Sequence, residues 1–277
     1  MSLEKSPKKF SSLYRFYKTM VATVDGKDIL IANGKNIFDK KKQSIFFLHG
    51  SGLDHTCWLA LANQLSLLDY NLVIPDFPGH GYSEGQSLQS IEEQSAWLEK
   101  LINYLDCKTP IIIGHSQGGL VALNYSLNSK NLQKIILINS SNKIPVHSDL
   151  IELAEKNNSK AVDLMIKWAY SGHNKSLTTE LVAKKVISSR ELSKTLAVDF
   201  LSCNNFRINN DDIKKLNLPV LIITSDNDKM IPSTSSAKLH ELIAQSSFEI
   251  IKDAGHMLIL EEFSKVGDLI KPFLTKN

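Results

Sequence analysis

Eight short segments dense in β-branched and aliphatic residues punctuate the chain: Tyr17–Val24, Asp28–Ala32, Ile45–His49, Leu72–Asp76, Ile111–His115, Ile135–Asn139, Val220–Thr224 and Phe248–Lys252. The middle ones are continuous apolar runs, the pattern of strands covered on both faces. The first two flank Asp25-Gly26-Lys27, a hairpin signal. Between the others lie stretches with helical spacing: Thr56–Leu68, Leu88–Leu105, Gln117–Leu127, Thr234–Ala244 and Glu261–Phe273. In the second of these, Ile91, Leu98, Leu101, Ile102 and Leu105 fall on one stripe. This alternation predicts an α/β fold: an eight-stranded, mostly parallel sheet flanked by helices and entered through an antiparallel hairpin.

One block breaks the rhythm. From 141 to 212 no strand pattern occurs, only the helical stretches Asp149–Lys156, Ala161–Ala169, Thr179–Ser188 and Glu191–Ser202. Polar punctuation separates them, as at Asn157-Asn158-Ser159 and Ser171-Gly172-His173-Asn174. A helical block of this length between two strands of one sheet is an insertion, too long for a loop. The expected organisation is a core of residues 1–140 and 213–277, with a helical insertion at 141–212.

Composition narrows the function classes. The chain has 277 residues, 43% hydrophobic and 22% charged, ordinary globular proportions for one large domain. Its formal net charge of +3 is spread along the chain and is no nucleic-acid footprint. Cys57, Cys107 and Cys203 are widely spaced, with no CxxC or Cys/His cluster, so neither a disulfide framework nor a metal site is expected. The basic N-terminus lacks the apolar core of a signal peptide, and no run approaches the ~20 apolar residues of a membrane helix. The expectation is a soluble, cytoplasmic protein.

Ile111-Ile112-Ile113-Gly114-His115-Ser116-Gln117-Gly118-Gly119 is a G-x-S-x-G motif with an apolar strand before it and a helical pattern after it. A strand turning abruptly into a helix forces its central residue to positive φ and projects that side chain above the sheet edge. Gly114 and Gly118 fit such a crossing, because a Cβ there would meet neighbouring backbone. Ser116 is therefore the candidate nucleophile, placed where a helix N-terminus favours negative charge.

A serine nucleophile needs a base, and the base an orienting acid. His256, in Asp253-Ala254-Gly255-His256-Met257, follows the last strand segment. An acidic loop, Ser225-Asp226-Asn227-Asp228, follows the seventh. Asp226 and Asp228 compete for the acid's role, and the chain order Ser…Asp…His is that of one known type of triad. All three residues fall at the C-terminal ends of strands, where open α/β sheets place their sites. The tetrahedral oxyanion also needs donors. The N–H of Gln117 is one, and the N–H of Ser51 in His49-Gly50-Ser51-Gly52 is the other, with Gly52 as its substitute. No third glycine completes a dinucleotide loop there or in Asp76-Phe77-Pro78-Gly79-His80-Gly81-Tyr82-Ser83, so no cofactor is expected.

Together these motifs, with Ile231-Pro232 and Gly255-His256, resemble the α/β-hydrolase superfamily, and more narrowly its capped esterase-like branch. The resemblance covers about residues 17–140 and 213–275, with the motifs in order. It implies a serine hydrolase whose helical cap lies between the sixth and seventh strands, where the insertion falls. It favours Asp228 over Asp226 as the acid and gives His49 and His80 structural roles in their glycine turns. Relatives that open epoxides or displace halide carry an aspartate at the elbow, and Ser116 departs from that.

The resulting expectation is hydrolysis of a small-molecule carboxylic ester or thioester by Ser116, His256 and Asp228, without metal or cofactor. Rival readings on the same residues are a carbon–carbon bond hydrolase, a cofactor-free haloperoxidase-like enzyme and an esterase for an acyl-carrier-protein-linked methyl ester; a non-enzymatic ligand receptor is a rival of another class. His115 is expected to support the elbow, and His55, His147, His173 and His240 to be solvated or capping. Trp58, Met165, Trp168 and Phe206 are candidates to line an acyl pocket, but are read as core or insertion packing.

Overall fold

The computed structural model describes residues 17–156, 158–171 and 195–275. The strands are β1 (Thr19–Val24), β2 (Lys27–Ala32), β3 (Ser44–Leu48), β4 (Asn71–Pro75), β5 (Ile111–His115), β6 (Lys134–Ile138), β7 (Val220–Ser225) and β8 (Ser246–Ile251). They form one sheet in the order β1-β2-β4-β3-β5-β6-β7-β8. Pairing is parallel from β4 to β8, whereas β2 is antiparallel to both β1 and β4. The β1–β2 turn has positive φ at Asp25 (51°) and Gly26 (73°), the primed geometry that matches strand twist.

The helices are α1 (Leu59–Leu65), α2 (Ile91–Tyr104), α3 (Gln117–Asn128), α4 (Ser148–Lys156), α5 (Asn158–Ala169), α6 (Thr195–Asn205), α7 (Asn210–Ile213), α8 (Ser233–Leu242), α9 (Leu258–Glu261) and α10 (Phe263–Thr275). The single helix expected over Thr56–Leu68 is instead a 3₁₀ turn at His55–Trp58 followed by α1, because the Asp54 carboxylate caps the Thr56 N–H at 2.9 Å. Helix α2 starts three residues later than expected, at the point where Ser90 Oγ accepts from the Glu93 N–H and Glu93 accepts from the Gln89 N–H. This reciprocal cap defines the boundary. The stretch expected as a helix over Thr179–Ser188 lies outside the described residues, as does His173.

Neighbouring strand residues feed opposite faces of the sheet. Ile45 and Phe47 pack in one apolar cluster with Leu61 and Leu65 of α1 and Ile270 of α10, while Phe46 and Leu48 pack in another with Leu98 and Leu101 of α2 and Leu120 of α3. Each such fully buried aliphatic side chain contributes roughly 1.5–3 kcal/mol. The helices between β6 and β7 share this packing, with Met165, Leu196 and Phe200 in the first cluster. Among the described residues no helix is long and apolar enough to cross a membrane.

Candidate active site

The chain leaves β3 towards β4 on one side of the sheet and returns to β5 on the other, so a crevice opens at the C-terminal ends of β3 and β5. Ser116 sits at this point with φ 53° and ψ −118°, a strained conformation for a non-glycine residue. Its N–H is held by the carbonyl of Ile138 at 3.0 Å, and its carbonyl accepts from Ser140 Oγ at 2.8 Å. Close crossing of strand and helix explains the flanking glycines. A Cβ at Gly114 would lie 2.3 Å from the Gly118 carbonyl oxygen, and one at Gly118 would lie 2.1 Å from that of Leu48.

The structure brings Ser116, His256 and Asp228 into one hydrogen-bonded line. His256 Nε2 lies 3.0 Å from Ser116 Oγ, and His256 Nδ1 lies 2.7 Å from Asp228 Oδ2. The second carboxylate oxygen of Asp228 accepts from the N–H groups of Met230 and Ile231, both at 2.8 Å. All three side chains are buried. Asp226, the competing acid, is exposed and instead accepts from the Asp253 N–H at 2.8 Å, bracing one loop against the next.

The candidate oxyanion donors lie close together beside the serine. Ser51 and Gln117 flank the serine, and Ser51 Oγ donates to Gln117 Oε1 at 2.7 Å. The N–H of Gly52, the substitute donor, is occupied: it bonds Asp199 Oδ2 at 2.8 Å. Asp199, on α6, was invisible to sequence reasoning. Its Oδ2 also meets His80 Nε2 at 2.9 Å, and its Oδ1 accepts from Gln117 Nε2 at 3.2 Å.

The histidines divide by environment. His49 donates from Nδ1 to the Gly50 carbonyl and accepts at Nε2 from the Phe77 N–H; burial, aided by nearby His80, pushes it down to about 4, so it is neutral. His80 donates from both ring nitrogens, to the Pro78 carbonyl and to Asp199. Burial opposes its charge, but the Asp199 carboxylate, together with the Pro78 carbonyl and Asp76, raises its pKa on balance. Burial likewise works against Asp199, yet His80 holds its carboxyl below the ordinary range. His115 is pushed down to about 3 by burial and by His256, and Nε2 donates to the His256 carbonyl at 2.8 Å. It thus supports the histidine loop more directly than the serine turn.

His55 overturns the expectation of a solvated or capping residue. It is fully buried and ion-paired through Nδ1 to Asp76 Oδ1 at 2.8 Å, because the glycine turn at 79–81 folds Asp76 inward. Asp54, His55 and Asp76 cluster closely enough to resemble a cation site. Their polar atoms are engaged, however: Asp76 accepts from the His55 and Tyr82 N–H groups, and Asp54 from that of Thr56. His240 is half-buried and stacks on Phe248.

Asn139, at φ 41°, is a second residue missed in the sequence. Its Nδ2 donates to the carbonyls of Gly255 and His256, at 2.9 and 3.0 Å, tying the end of β6 to the histidine loop. Above the serine lies a cavity of about 340 Å³ lined by Ile144, Val146, Leu150, Trp168, Phe200 and Met230. Trp168 thus faces this cavity, whereas Trp58, Met165 and Phe206 are buried elsewhere in the core.

Comparison with known proteins agrees with this architecture. An uncharacterized hydrolase, YugF, of Bacillus subtilis is 21% identical over 267 residues, covering 91% of this chain and 96% of its own. The enol-lactonase of Burkholderia xenovorans superposes with a TM-score of 0.84 at 18% identity, covering 92% of this chain and all of its own. A thermophilic esterase of Thermogutta terrifontis gives 0.79 at 22%, covering 93% and 98%. The model of the alpha/beta hydrolase family matches residues 45–266, and the chain belongs to that family.

Proposed function

We propose that the protein hydrolyses carboxylic esters or thioesters with small to medium acyl groups, through an acyl-enzyme on Ser116. The observation that carries this reading is the line Asp228–His256–Ser116, at 2.7 and 3.0 Å, opening into an apolar cavity. His256 takes the Ser116 proton as Oγ attacks the carbonyl carbon, and Asp228 stabilises the imidazolium and its tautomer. The N–H groups of Ser51 and Gln117 receive the oxyanion. Collapse breaks the bond to the alcohol or thiol, which leaves with the proton from His256. Water, deprotonated by His256, then releases the acid and restores Ser116.

The esterase and lactonase names of structural neighbours favour ester chemistry. In this reading residues 141–212 form a cap over the core of 1–140 and 213–277, with the substrate between them. The three unbridged cysteines fit a reducing, cytoplasmic location. Labelling with a fluorophosphonate, followed by peptide mapping, tests the proposal. An adduct on Ser116 together with hydrolysis of p-nitrophenyl butyrate supports it. No adduct and no hydrolysis would favour a ligand-binding protein on the same scaffold.

A further inference from the structure

Asp199 presents a problem in physical chemistry. A carboxylate buried beside a site that must stabilise negative charge works against catalysis unless it is neutralised and serves some other end. Here it is neutralised: His80 Nε2 lies 2.9 Å from Asp199 Oδ2 and its Nδ1 3.1 Å from the Pro78 carbonyl, two acceptors that an imidazolium satisfies together. Its remaining contacts converge on the two backbone segments that carry the candidate oxyanion donors. Oδ2 takes the N–H of Gly52, the residue after Ser51, at 2.8 Å. Oδ1 takes Gln117 Nε2 at 3.2 Å, and Gln117 Oε1 in turn accepts from Ser51 Oγ at 2.7 Å.

The result is a closed ring, Ser51–Gln117–Asp199–Gly52, completed by the peptide bond between Ser51 and Gly52. Three of its members come from the turns after β3 and β5; the fourth is supplied by α6, from the insertion. We infer that Asp199 is a positioning residue for the oxyanion hole, so that the seating of α6 and the aim of the Ser51 and Gln117 N–H groups are a single structural event. With Gly52 N–H committed to Asp199, the plane of the Ser51–Gly52 peptide is fixed and with it the end of the turn that bears the Ser51 N–H. Gln94 Oε1, which accepts from Gln117 Nε2 at 3.0 Å, braces the opposite side but does not reach Gly52. Asp199 alone in this ring joins the two turns through a side chain anchored in a third element.

This inference rests on the serine-hydrolase reading, and its test separates the two. Wild-type protein, Asp199→Ala and Asp199→Asn are compared for kcat and KM on p-nitrophenyl butyrate, for inhibition by an aryl trifluoromethyl ketone, and for cooperative melting. The ketone adds Ser116 Oγ to its carbonyl and leaves an oxyanion in the hole, so its affinity reports on the donors. For folded Asp199→Ala, kcat falls on the order of 10²-fold and ketone affinity falls in parallel, while KM stays within about threefold. Asp199→Asn, which keeps an acceptor for Gly52 but loses the charge paired with His80, loses only about tenfold in kcat. A kcat unchanged within about twofold, or a loss confined to KM, overturns the inference. Should Asp199→Ala not fold, Asp199→Asn decides: a kcat loss of about tenfold at constant KM supports it, and unchanged kcat overturns it. A wild-type protein that neither hydrolyses the ester nor binds the ketone refutes the underlying reading instead.

Discussion

The carbonyl oxygen of His256 accepts a hydrogen bond from His115 Nε2 at 2.8 Å, so the residue before the serine secures the histidine that faces that serine. Burial and the proximity of His256 push His115 down to about 3, which leaves it neutral and fixes Nε2–H as the donor. His115→Ala removes this bond and opens a buried space, while Asn139 still holds the same carbonyl. The expected cost is about 2–4 kcal/mol of stability with roughly tenfold lower kcat/KM. Urea unfolding and ester kinetics on the same preparation check both numbers.

The acids should separate cleanly. Asp228→Asn keeps the shape of the acid but favours the wrong imidazole tautomer, a change that costs about 10⁴ in kcat in the chymotrypsin triad. The Asp226 carboxylate is exposed and bonds the Asp253 N–H, away from His256, so Asp226→Asn should stay within about tenfold. Parallel kinetics on the two variants decide the assignment, and a reversed order would move the acid to Asp226.

The His80–Asp199 pair makes stability depend on pH with a definite sign. His80 has a raised pKa in the folded state, so its contribution is complete below about 6.5 and is lost as pH rises through the folded value. Asp199 is lowered, so its contribution is complete above about 3.9 and is lost as pH falls through the folded value. His55, paired with Asp76, has the same sign as His80, and His80→Gln is therefore compared directly with wild type. The stability difference between them should be greatest near pH 6 and shrink towards pH 9, by at most about 1.4 kcal/mol per pH unit. Urea unfolding across that range measures it, and a difference that widens with pH contradicts the pairing.

Chain-length preference follows from the cavity. Its volume of about 340 Å³ is near the lower end of small-molecule sites. Each methylene that fits should add about 0.8 kcal/mol until the space is full. Across p-nitrophenyl acetate, butyrate, octanoate and palmitate, kcat/KM should rise and then fall, without a jump above the solubility limit. A maximum at palmitate would contradict the proposed substrate class.

Much of this fold could be read from the chain because its signals are local. Continuous runs such as Ile111–Ile113 and Ile135–Ile138 mark strands buried on both faces, and the glycines around Ser116 mark a crossing too close for a Cβ. Places at strand ends single out Ser116, His256 and the loop that holds Asp226 and Asp228, and the family resemblance favours Asp228 within that loop. Asp199, Asn139 and His55 were not legible. Asp199 meets Gly52 across 147 positions and Asn139 meets His256 across 117, and neither distance leaves a periodic trace. His55 sits in a polar, turn-like stretch whose burial depends on Asp76 being folded inward by a later turn.

Every step of the proposed reaction runs through Ser116, and the most direct measurement is kcat/KM of Ser116→Ala on p-nitrophenyl butyrate, beside wild type and with folding verified by melting. Removing the nucleophile of a serine triad costs on the order of 10⁶-fold, about 8 kcal/mol of transition-state stabilisation, and a loss of that size is the predicted result. A folded variant retaining activity within about tenfold of wild type would remove Ser116 from the chemistry and contradict the account.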